Sequence, residues 1–226
     1  MSEAPGARPP ASDTIPIDYW LPMVLFGALT LAESYLDPAW FPIAYIVKAV
    51  LVTAALVRLR RPYADLKYDR RVILPSVAIG LLVFALWVWI DKVVPYPHFG
   101  SRSAFDPTPL QGSAWWPAFL AVRLYGLALM VPVMEEIFWR SFLLRYLTRA
   151  DFESLPVGTF SAFALLVMLA ASAVAHPEWL VAVLASLAYA VWLRRSRSLF
   201  GAILAHSTTN AALGAYVLRT GEWQYW

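Results

Sequence analysis

At 226 residues, 60% hydrophobic and only 15% charged, the chain departs from an ordinary soluble domain, in which about 25% of residues carry charge. Its formal net charge of +3 comes from arginines set between apolar runs, which argues against a nucleic-acid binder, and the absence of cysteine excludes disulfides, thiolate zinc sites and a thiol nucleophile. With eleven Trp, a mean hydropathy of +0.59 and several runs near the roughly 20 residues that span a bilayer, the expected fold is all-α. It is a polytopic membrane helix bundle of about seven transmembrane helices, with a C-terminal catalytic core.

In chain order, residues 1–18, MSEAPGARPPASDTIPID, are rich in Pro, Ala and polar groups. They are expected to form a disordered N-terminal tail rather than a cleavable signal peptide, leaving targeting to the first membrane helix. Residues 19–116 are expected to supply three spans, over about 19–36, 41–57 and 72–90, followed by a long proline-containing outer loop that ends in a Trp pair. Residues 117–218 supply four more. One runs from Pro117 through a glutamate pair to about Leu147, and the others cover about 157–175, 179–193 and 199–218. Residues 219–226 form a C-terminal tail.

Lys and Arg favour the cytoplasmic side of membrane proteins. Arg58, Arg60, Arg61, Lys67, Arg70 and Arg71 lie after the second span, Arg145 and Arg149 end the fourth, and RRSR joins the sixth to the seventh. With seven spans these segments fall on one side, which predicts a cytoplasmic N-terminus. The outer loop and the RTGEWQYW tail then lie on the far side, with Trp and Tyr as interface anchors.

Ionisable groups inside a membrane are costly and usually face the protein interior or a wet cavity. The stretch PVMEEIFWRSF places Glu135, Glu136 and Arg140 in one of the most apolar parts of the chain. Glu136 and Arg140, four apart, share a helix face, whereas Glu135 is rotated about 100° away. One carboxylate is therefore expected to pair with Arg140 while the other faces a cavity. His176 closes the fifth span, and His206 and Asn210 share a face of the seventh. At about 1.5 Å per residue these groups bracket the middle of the membrane. The remaining histidine, His98, reads as a solvated loop residue, Glu33 and Lys48 read as a structural pair, and Arg123 reads as an interfacial or structural residue.

EEIFWR, then SAVAH, then HSTTN resembles the CPBP intramembrane protease family, which includes the Ras-converting CAAX prenyl endopeptidase and bacteriocin-processing and immunity proteins. The family pattern is Glu-Glu-x-x-x-Arg, Phe-x-x-x-His and His-x-x-x-Asn or Asp, each on its own helix. Ser172 stands here where the family usually has Phe. The resemblance covers about residues 117–218. It implies an intramembrane endopeptidase in which Glu135 is the general base on a water, His176 positions or polarises that water, and His206 with Asn210 donates to the oxyanion. Glu136 and Arg140 would support them as an ion pair. The implied substrate is a peptide or protein of the membrane, lipidated or anchored at its C-terminus, with an exosortase-type sorting system as another setting. The implied location is a multi-pass protein among membrane lipid, in a bacterial inner membrane.

Other readings of the same residues stand beside this one. No cofactor is favoured, but zinc held by Glu135, His176 and His206 with an open position for water is the mechanistic rival. Glu136 with Arg140 also suits a helix-stabilising interface pair, and His176 before Pro177 suits a helix end. His206 with Asn210 suits interhelical hydrogen bonding. At the level of function, the alternatives are a non-catalytic family member acting as a membrane scaffold or immunity protein, and a proton-coupled transporter.

Overall fold

The computed structural model describes residues 15–98 and 106–225, the side chain of Pro109 apart. Most of the expected N-terminal tail and part of the outer loop lie outside the described residues. Among the described residues there is no strand, and the chain is a bundle of seven principal helices. They are α1 (Ile17–Glu33), α2 (Phe41–Arg58), α3 (Ile73–Val93), α4 (Trp116–Tyr146), α5 (Ala162–Ala175), α6 (Trp179–Ser196) and α7 (Leu199–Thr220). Three helical stretches, Pro38–Arg58, Arg70–Val93 and Trp116–Tyr146, are long and apolar enough to cross a membrane, and α5 is a shorter apolar helix.

Local chemistry sets the helix ends. The fifth helix begins at Ala162 rather than near residue 157, because Gly158 turns the backbone at φ +80° and Ser161 Oγ accepts from the Ala164 N–H at 3.1 Å as an N-cap. Gly221, at φ +72°, closes α7 two residues beyond the expected end. The α1–α2 hairpin is stapled by the Glu33–Lys48 ion pair, and Lys48 Nζ also donates to Thr30 Oγ1 at 3.1 Å. Arg123 packs its guanidinium 4.5 Å from the Tyr45 ring, between α2 and α4.

The three arginine-rich segments meet at one end of the bundle. There Arg61 pairs with Glu153 across the end, and Arg145 pairs with Asp65. Arg145 reads in the sequence as one of the cations that end the fourth span on the cytoplasmic side, but it is buried, because its guanidinium also donates to the Leu155 carbonyl at 3.0 Å and to Ser141 Oγ at 2.9 Å. At the opposite end Asp91 accepts from Tyr96 Oη at 3.1 Å, from His98 Nε2 at 2.9 Å and from Tyr225 Oη. His98 is thus a contact of the bundle end and not a free solvated side chain.

The arrangement places α4 against α1 and α2 on one side and α7 on the other, with α7 also packed along α3 and α6. The α3 and α7 helices approach closely at Gly80 of α3, where an added Cβ would stand 2.4 Å from the Ala205 carbonyl of α7. Thr209 Oγ1 donates to the Gly80 carbonyl at the same crossing, at 2.8 Å.

Candidate active site

The helix that carries the glutamate pair is not uniformly α. It is in π register over Gly126–Met130 and again over Ile137–Leu143, with an α segment, Val131–Glu136, between them. In the first π turn the Val131 N–H bonds the Gly126 carbonyl, five residues back. The next donor in that register would be residue 132, but Pro132 has no N–H, so the Leu127 carbonyl lacks its ladder partner. Asn210 supplies the missing bond across the helix interface, its Nδ2 donating to Leu127 O at 2.9 Å. An amide carries two N–H groups, so the other can point elsewhere.

Glu136 is fully buried, and its Oε1 accepts from Arg140 Nη1 at 3.0 Å and from His206 Nδ1 at 2.9 Å. Donation from Nδ1 commits that nitrogen and leaves His206 Nε2 for other contacts. The His206 ring stacks on Tyr189 with centroids 5.1 Å apart and planes at 22°, and Tyr189 Oη donates to Thr209 Oγ1 at 2.7 Å. Arg140 continues the network away from Glu136. Its Nη2 donates to Ser186 Oγ at 3.2 Å, and Ser186 Oγ lies 2.7 Å from Ser172 Oγ. Ser172 therefore extends a buried polar chain from His206 through Glu136, Arg140 and Ser186.

His176 ends α5 in extended conformation, and its Nδ1 lies 3.1 Å from the Ser172 carbonyl. A carbonyl only accepts, so Nδ1 carries the proton, capping the last turn of the helix. In the neutral ring Nε2 is then an acceptor. The Trp87 ring of α3 meets His176 edge-on at 6.3 Å.

One cavity of about 380 Å³ gathers these groups, within the range usual for small-molecule sites. Glu135, His176, His206 and Asn210 all line it, each half-buried, whereas Glu136 sits behind the wall on Arg140. The cavity thus receives one carboxylate, two imidazoles and an amide from α4, α5 and α7, which is the equipment for moving a proton and holding a developing negative charge. Among the described residues no three His, Cys, Asp or Glu side chains are grouped so as to hold a metal ion.

Sequence reasoning passed over part of this wall. Ala182, Ala185, Ser186 and Tyr189 of α6 all face the cavity at helical spacing, and small or hydroxyl-bearing residues on one face were the available signal. Trp87 from α3, and Gln224 and Tyr225 from the C-terminal turn, also line it, and no local pattern announces them.

Residues 114–212 match the family described as type II CAAX prenyl endopeptidase, Rce1-like. No curated protein and no solved structure matches the chain at a significant level. The matched stretch starts just before α4 and ends within α7, so it encloses Glu135, His176, His206 and Asn210. Over residues 114–212, this membrane protein is similar to the type II CAAX prenyl endopeptidase Rce1-like family, a family of CAAX proteases.

Proposed function

We propose that the chain is an intramembrane endopeptidase that hydrolyses a peptide bond of a membrane-associated protein near a lipidated C-terminal residue, using a water activated by Glu135. The observation that supports it best is the single cavity shared by Glu135, His176, His206 and Asn210. Glu135 takes a proton from the water as its oxygen attacks the scissile carbonyl. His176, protonated at Nδ1, accepts the second water hydrogen at Nε2 and so aims the nucleophile. The oxyanion receives the free N–H of Asn210 and, with a proton on each ring nitrogen, Nε2–H of His206. With His206 so charged, Glu135, Glu136, Arg140 and His206 sum to zero, which suits a set held away from bulk water. The proton on Glu135 then passes to the leaving amine, completing the hydrolysis.

The test is cleavage of co-expressed prenylated and non-prenylated C-terminal tails by wild type and by Glu135→Gln in membranes. General-base loss is expected to lower turnover by about 10²-fold or more at unchanged protein level. A cleavage pattern indifferent to Glu135→Gln would favour a non-catalytic member of the family. In the same assay a chelator is expected to leave wild-type turnover intact, and loss of turnover restored by zinc alone would replace the metal-free reading.

A further inference from the structure

A second, apolar groove of about 220 Å³ runs between α3 and α6, and Trp87 and Ala185 form the wall it shares with the catalytic cavity. Leu82 and Leu86 of α3 and Leu184 and Val191 of α6 line it and are exposed, Leu82 at 59%, so the groove opens sideways out of the bundle. In a membrane protein that direction faces acyl chains. One charged residue lines the groove, Arg195, near the end where the arginine-rich segments meet. Its neighbours in the turn are committed. Arg194 lies 4.7 Å over the Phe160 ring, and Arg197 Nη1 donates to Thr159 Oγ1 at 2.8 Å. Arg195 is exposed and makes no hydrogen bond or ion pair among the described residues.

From Arg195 to Ala185 the helix rises about 15 Å. That is the hydrocarbon depth of one leaflet, half of a core about 30 Å thick. We propose that the groove binds one acyl chain of an anionic glycerophospholipid, with the phosphate on Arg195 and the chain lying between α3 and α6 as far as Trp87. A guanidinium matches phosphate oxygens in a bidentate fork, and a headgroup without a cation of its own leaves that pairing uncontested. The polarity of the groove also distinguishes this ligand from a peptide substrate. Its charged end lies far from the catalytic cavity and its apolar end beside it, so the headgroup is held about 15 Å from the reacting groups. This lipid is a resident of the wall, and the proposal does not depend on the peptidase reading.

The experiment uses the full chain in phosphatidylcholine nanodiscs doped with a phosphatidylglycerol that carries a diazirine near its acyl terminus. Photolysis and peptide mapping locate the label. Label is expected to concentrate on the groove faces of α3 and α6, to fall roughly five-fold in Arg195→Gln, and to fall less in Arg195→Lys, which keeps the charge and loses the bidentate fork. Unlabelled phosphatidylglycerol should compete and phosphatidylcholine should not. Ala188→Trp, which fills the groove, should abolish the label. Because Arg195 is exposed and unpaired, Arg195→Gln keeps the test decisive if the filled variant does not fold. Label spread evenly over the outward helix faces, no change in Arg195→Gln, or equal competition by phosphatidylcholine would overturn the proposal.

Discussion

Asn210 ties α7 to α4 through the Leu127 carbonyl, which the π register and Pro132 together leave without a ladder partner. Spacing alone places Asn210 on the face of His206, and the pairing of Glu136 with Arg140 is legible the same way, from four residues of separation. The Leu127 carbonyl is not legible, because it becomes available only when the helix leaves α register five residues before Pro132. Likewise, Ser172 looks in the sequence like the loss of an aromatic residue, and only the fold brings Ser186 to within 2.7 Å of it. The Pro132 effect can be measured. Pro132→Ala restores an N–H that competes for Leu127 O, and it releases the Asn210 amide from the geometry that one donated bond now fixes. Activity is expected to fall roughly ten-fold or more, on the scale of about 1.4 kcal/mol lost from transition-state binding. The loss should appear mainly in kcat, with the thermal midpoint near wild type or higher, because a proline is being removed from a helix interior. A variant with wild-type kcat would detach Pro132 from the positioning of Asn210.

At the scale of elements, hydropathy and breakers place the helices well, because apolar runs separated by Pro, Gly and charge are what the bilayer demands of a spanning chain. They do not show which helices touch. The contact of α3 with α7 depends on Gly80, a residue unremarkable in a run such as VAIGLLVF. Any side chain there would meet the Ala205 carbonyl and Thr208, one and two residues on either side of His206 in the sequence of α7. Gly80→Ala is therefore expected to push α7 outward and to destabilise the protein by about 1–3 kcal/mol, the usual range for overpacking a close contact. Since α7 carries His206, activity should fall further than stability alone explains, and the Thr209 bond to the Gly80 carbonyl should be lost with it. Thermal melting in detergent and turnover at a temperature well below the transition would separate the two effects. An alanine variant as stable and as active as wild type would show that the helices can part at this crossing without consequence.

For the whole molecule, the two ends of the bundle are held by different chemistry from its middle. Asp91 gathers Tyr96, His98 and the C-terminal Tyr225 at one end, while Arg61, Asp65, Arg145 and Glu153 tie the loops at the other. These ties join segments far apart in the chain, so sequence reading sees only charge in loops and not which loops meet. The Arg61–Glu153 pair lies outside the helices and gives a prediction whose sign can be worked out. The Arg61 guanidinium holds the Glu153 carboxyl below its ordinary range, against the opposing effect of partial burial. A carboxyl with a lower value in the folded state stabilises the fold above its unfolded value, near 4.3, and that contribution is lost as pH falls through the folded value. Glu153→Gln should therefore lower the thermal midpoint at neutral pH, and the gap to wild type should close as the solution is taken below about pH 4. Both side chains are partly solvated, 50% for Arg61 and 35% for Glu153, so the pair belongs with surface ion pairs worth about 0–1 kcal/mol. For a chain of this size that corresponds to no more than about 2–4 °C. The gap should also shrink at high salt at neutral pH, because screening weakens an exposed pair. A gap that widened in acid, or ignored both pH and salt, would mean that Glu153 holds this end of the bundle through its Tyr19 hydrogen bond and packing instead of its charge.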